Sequence, residues 1–288
     1  MKKRHSFLWM ILIIGLALAL QSAQAAPMEP PFLPDFGSAV FVPEAAVDNT
    51  YFPLIDTNTR IFEGQKEEEG EIVIERFELT NLGAGPKIFG VQTTTQLDRA
   101  FEGGLLVEET FDHYAQDTVG NVWYMGEDVT NYIYDDDDNL IETTTDSAWR
   151  AGVNDALPGF IMPADLTIGF NYYQEFAKLD DALDQGTTYA IDDLISIAIG
   201  DFHKVLRVLE TTELDPEAIG FKYFAPGIGL ILEDEGLDEN YENPELTIAW
   251  VGSKPVPEPA TILMLGAGLL GIAGLSRRKY RIVKSRRR

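Results

Sequence analysis

At 288 residues with 47 Asp and Glu against 22 Lys and Arg, the chain carries a formal net charge of −25 and no cysteine. The missing thiols exclude disulfides, thiolate metal sites and cysteine nucleophiles. Three cations lie in the first four residues and eight in the last twelve, leaving eleven beside all the carboxylates, a charge of about −36 for the body. That surface excludes nucleic acid, whose phosphates need cations, and meets extracellular polysaccharide only where divalent cations bridge the two.

In chain order, residues 1–25 have the layout of a secretory signal peptide. Lys2, Lys3 and Arg4 form the charged start, Phe7 to Leu20 the apolar run, and Ala23-Gln24-Ala25 an A-x-A site. Signal peptidase is expected to cut between Ala25 and Ala26 after delivery by the Sec machinery. Fourteen apolar residues are few for a permanent span, which leaves an uncleaved anchor as the lesser alternative. Residues 26–53 hold six prolines and little periodicity, and read as an extended lead-in.

Residues 54–252 form the main domain, long enough for one core. Its dominant period is two. Glu71 to Thr80 places Ile72, Ile74, Phe77 and Leu79 inward, with a bulge expected near Arg76. Gly120 to Gly126, Asn131 to Tyr134 and Leu140 to Thr145 read as short strands rich in aromatic and β-branched residues. The second half adds Ile191 to Ile199, Phe202 to Thr212, Ala218 to Phe224 and Gly229 to Glu233 as a meander, with a last strand from Glu245 to Trp250. Only Glu175 to Asp184 reads as helical. The expected fold is mainly β, a single antiparallel curved sheet or open half-barrel.

Candidate sites within this domain have simpler structural readings. Asp135, Asp136, Asp137 and Asp138 are the calcium candidates, since hard cations take several carboxylate oxygens. The run lacks the spaced ligands, glycine and distal glutamate of a calcium loop, so a solvated hairpin tip is expected. Asp117 to Asn121 reads as another turn. His113 and His203 lie 90 residues apart without a zinc spacing. Ser147 has no nucleophile elbow around it, and no carboxylate pair for glycoside hydrolysis stands out among 47 acids. Trp123, Tyr124, Tyr132, Tyr134, Trp149, Tyr172 and Tyr173 would stack on sugars only if exposed, and strand alternation sends about half of them inward. No catalytic residue and no cofactor is expected.

Residues 253–259 are a proline-rich linker, and residues 260–275 an apolar run followed by the basic tail 276–288. Gly266, Gly268 and Gly271 match G-x-G-x-x-G. Prolines precede them and no acidic residue follows Glu258, so a dinucleotide site is excluded. Sixteen residues make roughly 24 Å of helix, short against a bilayer core of about 30 Å. Snorkelling arginines and a thinned bilayer accommodate the difference. Arg277, Arg278 and Lys279 act as the stop and place the C-terminus in the cytoplasm. The alternative, a buried C-terminal core helix, sits badly with eight cations on an acidic protein. Ala267, Gly271 and Gly274 share one helical face suited to packing on another membrane helix.

Val256-Pro257-Glu258-Pro259-Ala260-Thr261, the Leu/Gly/Ala-rich span and Arg277-Arg278-Lys279 together resemble the PEP-CTERM sorting signal of Gram-negative bacteria. That resemblance implies a transient inner-membrane anchor and an exosortase partner that reads Pro257, Glu258 and Pro259. The product is then expected at the cell surface or outside the cell. A second set of segments, Phe111 to Glu127, Trp149 to Val153, Pro158 to Pro163 and Tyr223 to Leu230, resembles exported bacterial domains of uncharacterised function. The last segment is also similar to periplasmic half-barrels that cradle lipids or lipoproteins. The reading that follows is an exported, non-enzymatic β protein associated with the surface or extracellular matrix. The alternatives are a half-barrel that binds lipid or another apolar ligand, and a hydrolase of matrix polysaccharide.

Overall fold

A computed structural model describes residues 30–41, 46–68 and 70–256. The described residues contain fifteen strands, one 3₁₀ turn at Phe36–Ser38 and no α-helix. Five long strands follow one another as hairpins: β1 (Thr59–Glu68), β2 (Glu71–Ile88), β3 (Val91–Glu102), β4 (Leu105–Gln116) and β5 (Val122–Tyr134). Phe89-Gly90 and Gly103-Gly104 join β2 to β3 and β3 to β4. All four have positive φ, the twist that two-residue hairpins require. Short strands come next: β6 (Leu140–Thr144), β7 (Trp149–Arg150), β8 (Leu157–Met162), β9 (Asn171–Tyr173) and β10 (Glu175–Phe176). A second meander completes the sheet: β11 (Asp184–Ile197), β12 (Gly200–Thr212), β13 (Gly220–Ala225), β14 (Gly229–Glu235) and β15 (Leu246–Lys254).

All strand pairs are antiparallel, in the order β10-β8-β5-β4-β3-β2-β1-β15-β14-β13-β12-β11-β9, with β6 and β7 attached to β5. The expected single antiparallel curved sheet is therefore present, and its curvature makes it a nearly closed barrel. Closure is visible in the order itself, because its two ends, β9 and β10, are separated in the chain only by Gln174. Asn171 to Tyr173 pair with Gln185 to Thr187 of β11, whereas Glu175 and Phe176 pair with Pro158 and Leu157 of β8. The free side of β9 takes Phe32 of the lead-in through Phe32 N to Asn171 O at 2.9 Å and Tyr173 N to Phe32 O at 3.0 Å.

Alternation along the strands separates two apolar clusters. The inner one includes Phe62, Phe77, Leu79, Tyr114, Trp123, Tyr172, Leu206, Val208 and Phe224. The other lies on the opposite face of β12 to β14, around Val205, Leu209, Phe221 and Ile231, under Leu237 and Tyr241 of the β14–β15 connection. The lead-in contributes to the inner cluster. Phe36 and Phe41 pack edge-on against Trp123, and Phe52 lies 5.0 Å from the Tyr114 ring.

Four local expectations are corrected. Glu175 to Asp184 is not helical: Glu175 and Phe176 form β10 and the segment turns back at Ala177–Ala182. No bulge occurs near Arg76, since β1 and β2 stay in unbroken register from Arg60↔Leu79 to Glu68↔Glu71, and the shifts in β2 come after Asn81. Unbroken alternation then puts Ile72 and Ile74 on the outward side, where they are exposed, while Phe77 and Leu79 are buried. The two short strands at 120–126 and 131–134 are parts of the single strand β5.

Glycines make the seam possible. A Cβ on Gly159 would sit 2.1 Å from the Tyr173 carbonyl oxygen and 2.6 Å from that of Gln174, and one on Gly186 would meet the Tyr172 ring at 2.8 Å. Backbone cannot yield as a flexible side chain does. Gly159→Ala is expected to cost about 3 kcal/mol by forcing β8 away from the closing segment. Urea unfolding of the purified protein measures this, and an unchanged midpoint would contradict it.

Candidate functional site

Polar residues occupy the inward positions of the strands that face one another across the barrel. On β3 and β4, Gln96 lies opposite Asp112, and Asp98 follows one inward step beyond Gln96, opposite Thr110. On β4 and β5, Asp112 lies opposite Glu127 and Tyr114 opposite Tyr124. Across the interior, Lys222 of β13 sits between Val208 of β12 and Glu233 of β14. Glu175 enters from the seam.

Two hydrogen-bonded groups result. Tyr124 Oη lies 2.5 Å from Asp112 Oδ1 and 2.8 Å from Glu127 Oε2. A phenol has one proton to donate, so one carboxyl must bring its own. Glu127 is that group: burial, then the neighbouring Asp112 charge, push it up to about 8, partly offset by the Tyr124 hydrogen bond. Burial raises Asp112 to about 6, against the Tyr124 hydrogen bond and the charge of Lys222. The second group starts at the seam, where Gln174 Nε2 donates to Glu210 Oε1 at 2.9 Å. Glu210 Oε2 receives Lys222 Nζ at 2.9 Å, and Lys222 lies 3.9 Å from Glu233. Burial pulls the Lys222 ammonium down, but Glu210 and Glu233 more than offset it and hold it well above the usual lysine range. Burial pushes Glu233 up to about 7, opposed by Lys222. Asp98 and Glu175 are raised well above ordinary carboxylates, chiefly by burial and then by Asp112 and Glu127 respectively.

Between these groups lies a cavity of about 80 Å³, floored by Asp98, Asp112, Lys222 and Glu233 and walled by apolar side chains that include Phe52, Leu79 and Phe224. At its rim Arg60 donates to the Ile228 and Leu230 carbonyls at 3.1 and 2.8 Å, and burial lowers it to about 10.

The sites picked out by sequence lie elsewhere. Asp135 to Asp138 form the β5–β6 hairpin tip. There Asp135 Oδ1 accepts from the backbone N–H groups of Asp137 and Asn139, which lower its pKa, and Asp138 has φ 61°. Among the described residues no group of three or more His, Asp or Glu side chains is arranged to hold a metal ion. Asp117 does more than start a turn. Oδ1 accepts from the N–H groups of Val119, Gly120 and Asn121, while Oδ2 accepts from Asn121 Nδ2 and the Trp123 indole at 2.8 and 2.9 Å. His113 is buried, with Nδ1 2.9 Å from Thr95 Oγ1 and Nε2 3.2 Å from Asp128, which also holds Arg150. Burial lowers its pKa. Five of the seven aromatics considered for sugar stacking are buried, and Tyr132 and Tyr134 are half-buried. The interior acids were missed because nothing local separates them from surface acids. The available signal was Lys222 inside Phe221-Lys222-Tyr223-Phe224, a lone cation at an inward position.

The signal-peptide residues Ala23, Ala25 and Ala26, the segment Pro257, Glu258 and Pro259, the run 260–275 and Arg277, Arg278 and Lys279 lie outside the described residues. No helix among the described residues is long and apolar enough to cross a membrane. Residues 255–279 match the PEP-CTERM protein-sorting motif. The PEP-CTERM motif implies export and exosortase-mediated sorting. No curated protein matches the sequence. Two solved structures are similar, each over 72% of this chain and 99% of its own. One is a Bacteroides fragilis protein assigned as exported with a YmcC-like fold, at 12% identity and TM-score 0.38. The other is a Parabacteroides distasonis protein assigned as a lipoprotein, at 11% and 0.32.

The interior acids set a pH dependence. Their pKa values are higher folded than unfolded, so between about pH 4 and pH 8 the folded state binds more protons and stability falls as pH rises. The thermal midpoint is expected to drop between pH 5 and pH 8.5. Glu127→Gln, which keeps the Tyr124 contact without a charge, should flatten that drop by up to about 1.4 kcal/mol per pH unit near pH 7. Melts of both proteins across this range check the effect, and identical profiles would contradict it.

Proposed function

We propose that this chain is a surface-destined, non-enzymatic β-barrel module, delivered by the Sec pathway, held briefly in the inner membrane by residues 260–275, and released or handed on by exosortase near Pro257, Glu258 and Pro259. The observation that carries the reading is the match of residues 255–279 to the PEP-CTERM motif, which begins directly after the last strand ends at Lys254. Processing in that place leaves every described strand in the product. Arg277, Arg278 and Lys279 serve as the cytoplasmic stop, and the acidic body favours solubility outside the membrane. Association with extracellular matrix follows from that destination, with divalent cations bridging to acidic polysaccharide.

The interior favours this over the two alternatives. A cavity of about 80 Å³ is far below the roughly 300–1,000 Å³ of pockets for drug-sized ligands, which argues against a lipid chain in this cavity. A glycosidase needs two carboxyl groups flanking a bound sugar. Here Asp112 and Glu127 are tied to one tyrosine inside the barrel.

The test is the intact mass of the protein recovered from the envelope and from the medium of its host. A species starting at Ala26 and ending within Pro257 to Pro259 is expected. A species that retains Arg288 in both fractions would overturn the release step and leave a permanently anchored protein.

A further inference from the structure

The barrel cavity has unequal hydrogen-bonding demands. Asp112 is 7% exposed and lines the cavity, with Oδ1 taken by Tyr124 and Oδ2 without a protein partner. Asp98, one strand away and half-buried, also lines the cavity, and its sealed Oδ1 has no partner in the protein. Lys222 donates to Glu210 at 2.9 Å and faces Glu233, and Arg60 Nη1 donates to two backbone carbonyls, so neither cation is hydrogen-bonded to Asp112. Asp112 Oδ2 is therefore an acceptor on a buried side chain with no match in the wall, and such an acceptor is costly. The opposite wall is apolar and partly aromatic, through Phe52, Leu79, Tyr114 and Phe224.

We propose that this cavity is a binding site for a short-chain alkylammonium ion, its ammonium group donating to Asp98 and Asp112 and its methylenes lying against Phe52 and Leu79. An ammonium supplies three donors and one positive charge, which matches two adjacent carboxylates. Its stem matches the apolar wall, and aromatic faces also attract cations. A bare metal ion would leave that wall unused, and among the described residues no cluster of metal-ligating side chains is present. An anion would meet Asp98, Asp112 and Glu233 together. Size limits the chain length. An apolar cavity of about 150 Å³ holds benzene, so about 80 Å³ takes an amine of around three carbons.

The experiment is isothermal titration of the full chain in detergent with n-propylammonium at pH 8, with 1-propanol as the uncharged isostere. The ammonium is expected to bind at least tenfold more tightly, and Asp112→Asn to weaken it at least tenfold while circular dichroism shows the wild-type fold. Asp112 is faced by Tyr124 and Glu127 of β5, Glu108 of its own strand, Asp98 of β3, Glu175 of β10 and Lys222 of β13. Lowering the pH from 8 to 5 protonates Asp112, so wild-type affinity is expected to fall over that range, with proton release on binding in its middle. Equal binding of propylammonium and 1-propanol, or no binding of either, would overturn the proposal. So would unchanged affinity in Asp112→Asn. Should that variant fail to fold, the wild-type pH series decides, and pH-independent affinity overturns the proposal.

Discussion

Everything inside this protein depends on six residues, Asn171 to Phe176, that belong to both ends of one sheet. A sheet of this many strands must either leave two open edges or bend until they meet. Here the chain itself joins them: β9 finishes the meander by pairing with β11, and after Gln174 the same segment pairs with β8 as β10. The Gln174 backbone N–H reaches the Asp184 carbonyl at 2.8 Å while its side chain reaches Glu210, so the crossing point is tied to the meander twice. Gly159 and Gly186 give the room that this crossing needs.

Closure is also what gives the interior its chemistry. On an open sheet Asp98, Asp112, Glu127, Glu175 and Glu233 would face water and titrate as ordinary acids. Facing one another inside a barrel they lose hydration, and the cost falls on the charged form. The fold answers with Tyr124 between two carboxyls and with Lys222 between Glu210 and Glu233. Lys222 is one positive charge among several acids, so the remainder is met by protonation, as the raised Glu127 and Glu233 show. Such an interior contributes little to stability compared with an apolar one. Its presence inside the barrel is the reason to look for a ligand there.

Local pattern was enough for much of the fold. Period-two runs from Gly120, Phe202 and Gly229 became strands, Asp135 to Asn139 became a hairpin tip, and the terminal signals are contiguous in sequence. What failed was nonlocal. Glu175-Phe176-Ala177-Lys178-Leu179-Asp180 has the composition of a helix, but pairing with β8 overrides that weak preference. Ile72 and Ile74 look like core residues because hydrophobicity alone does not assign a face, and only the register with β1 shows that they point out. Asp98 and Asp112 could not be told from the other acids until β3 and β4 were set side by side and the barrel was closed over them.

The most direct test of the account is native-state hydrogen exchange at the closing segment. The backbone N–H groups of Tyr173 and Gln174, bonded to Phe32 and Asp184, are predicted to exchange only through global unfolding, with the same opening free energy as Leu206 and Val208 in β12. Exchange of Tyr173 and Gln174 through a local opening several kcal/mol below that of β12 would contradict it. The sheet would then be an open one whose edges merely lie close, and the interior acids would be accessible to water.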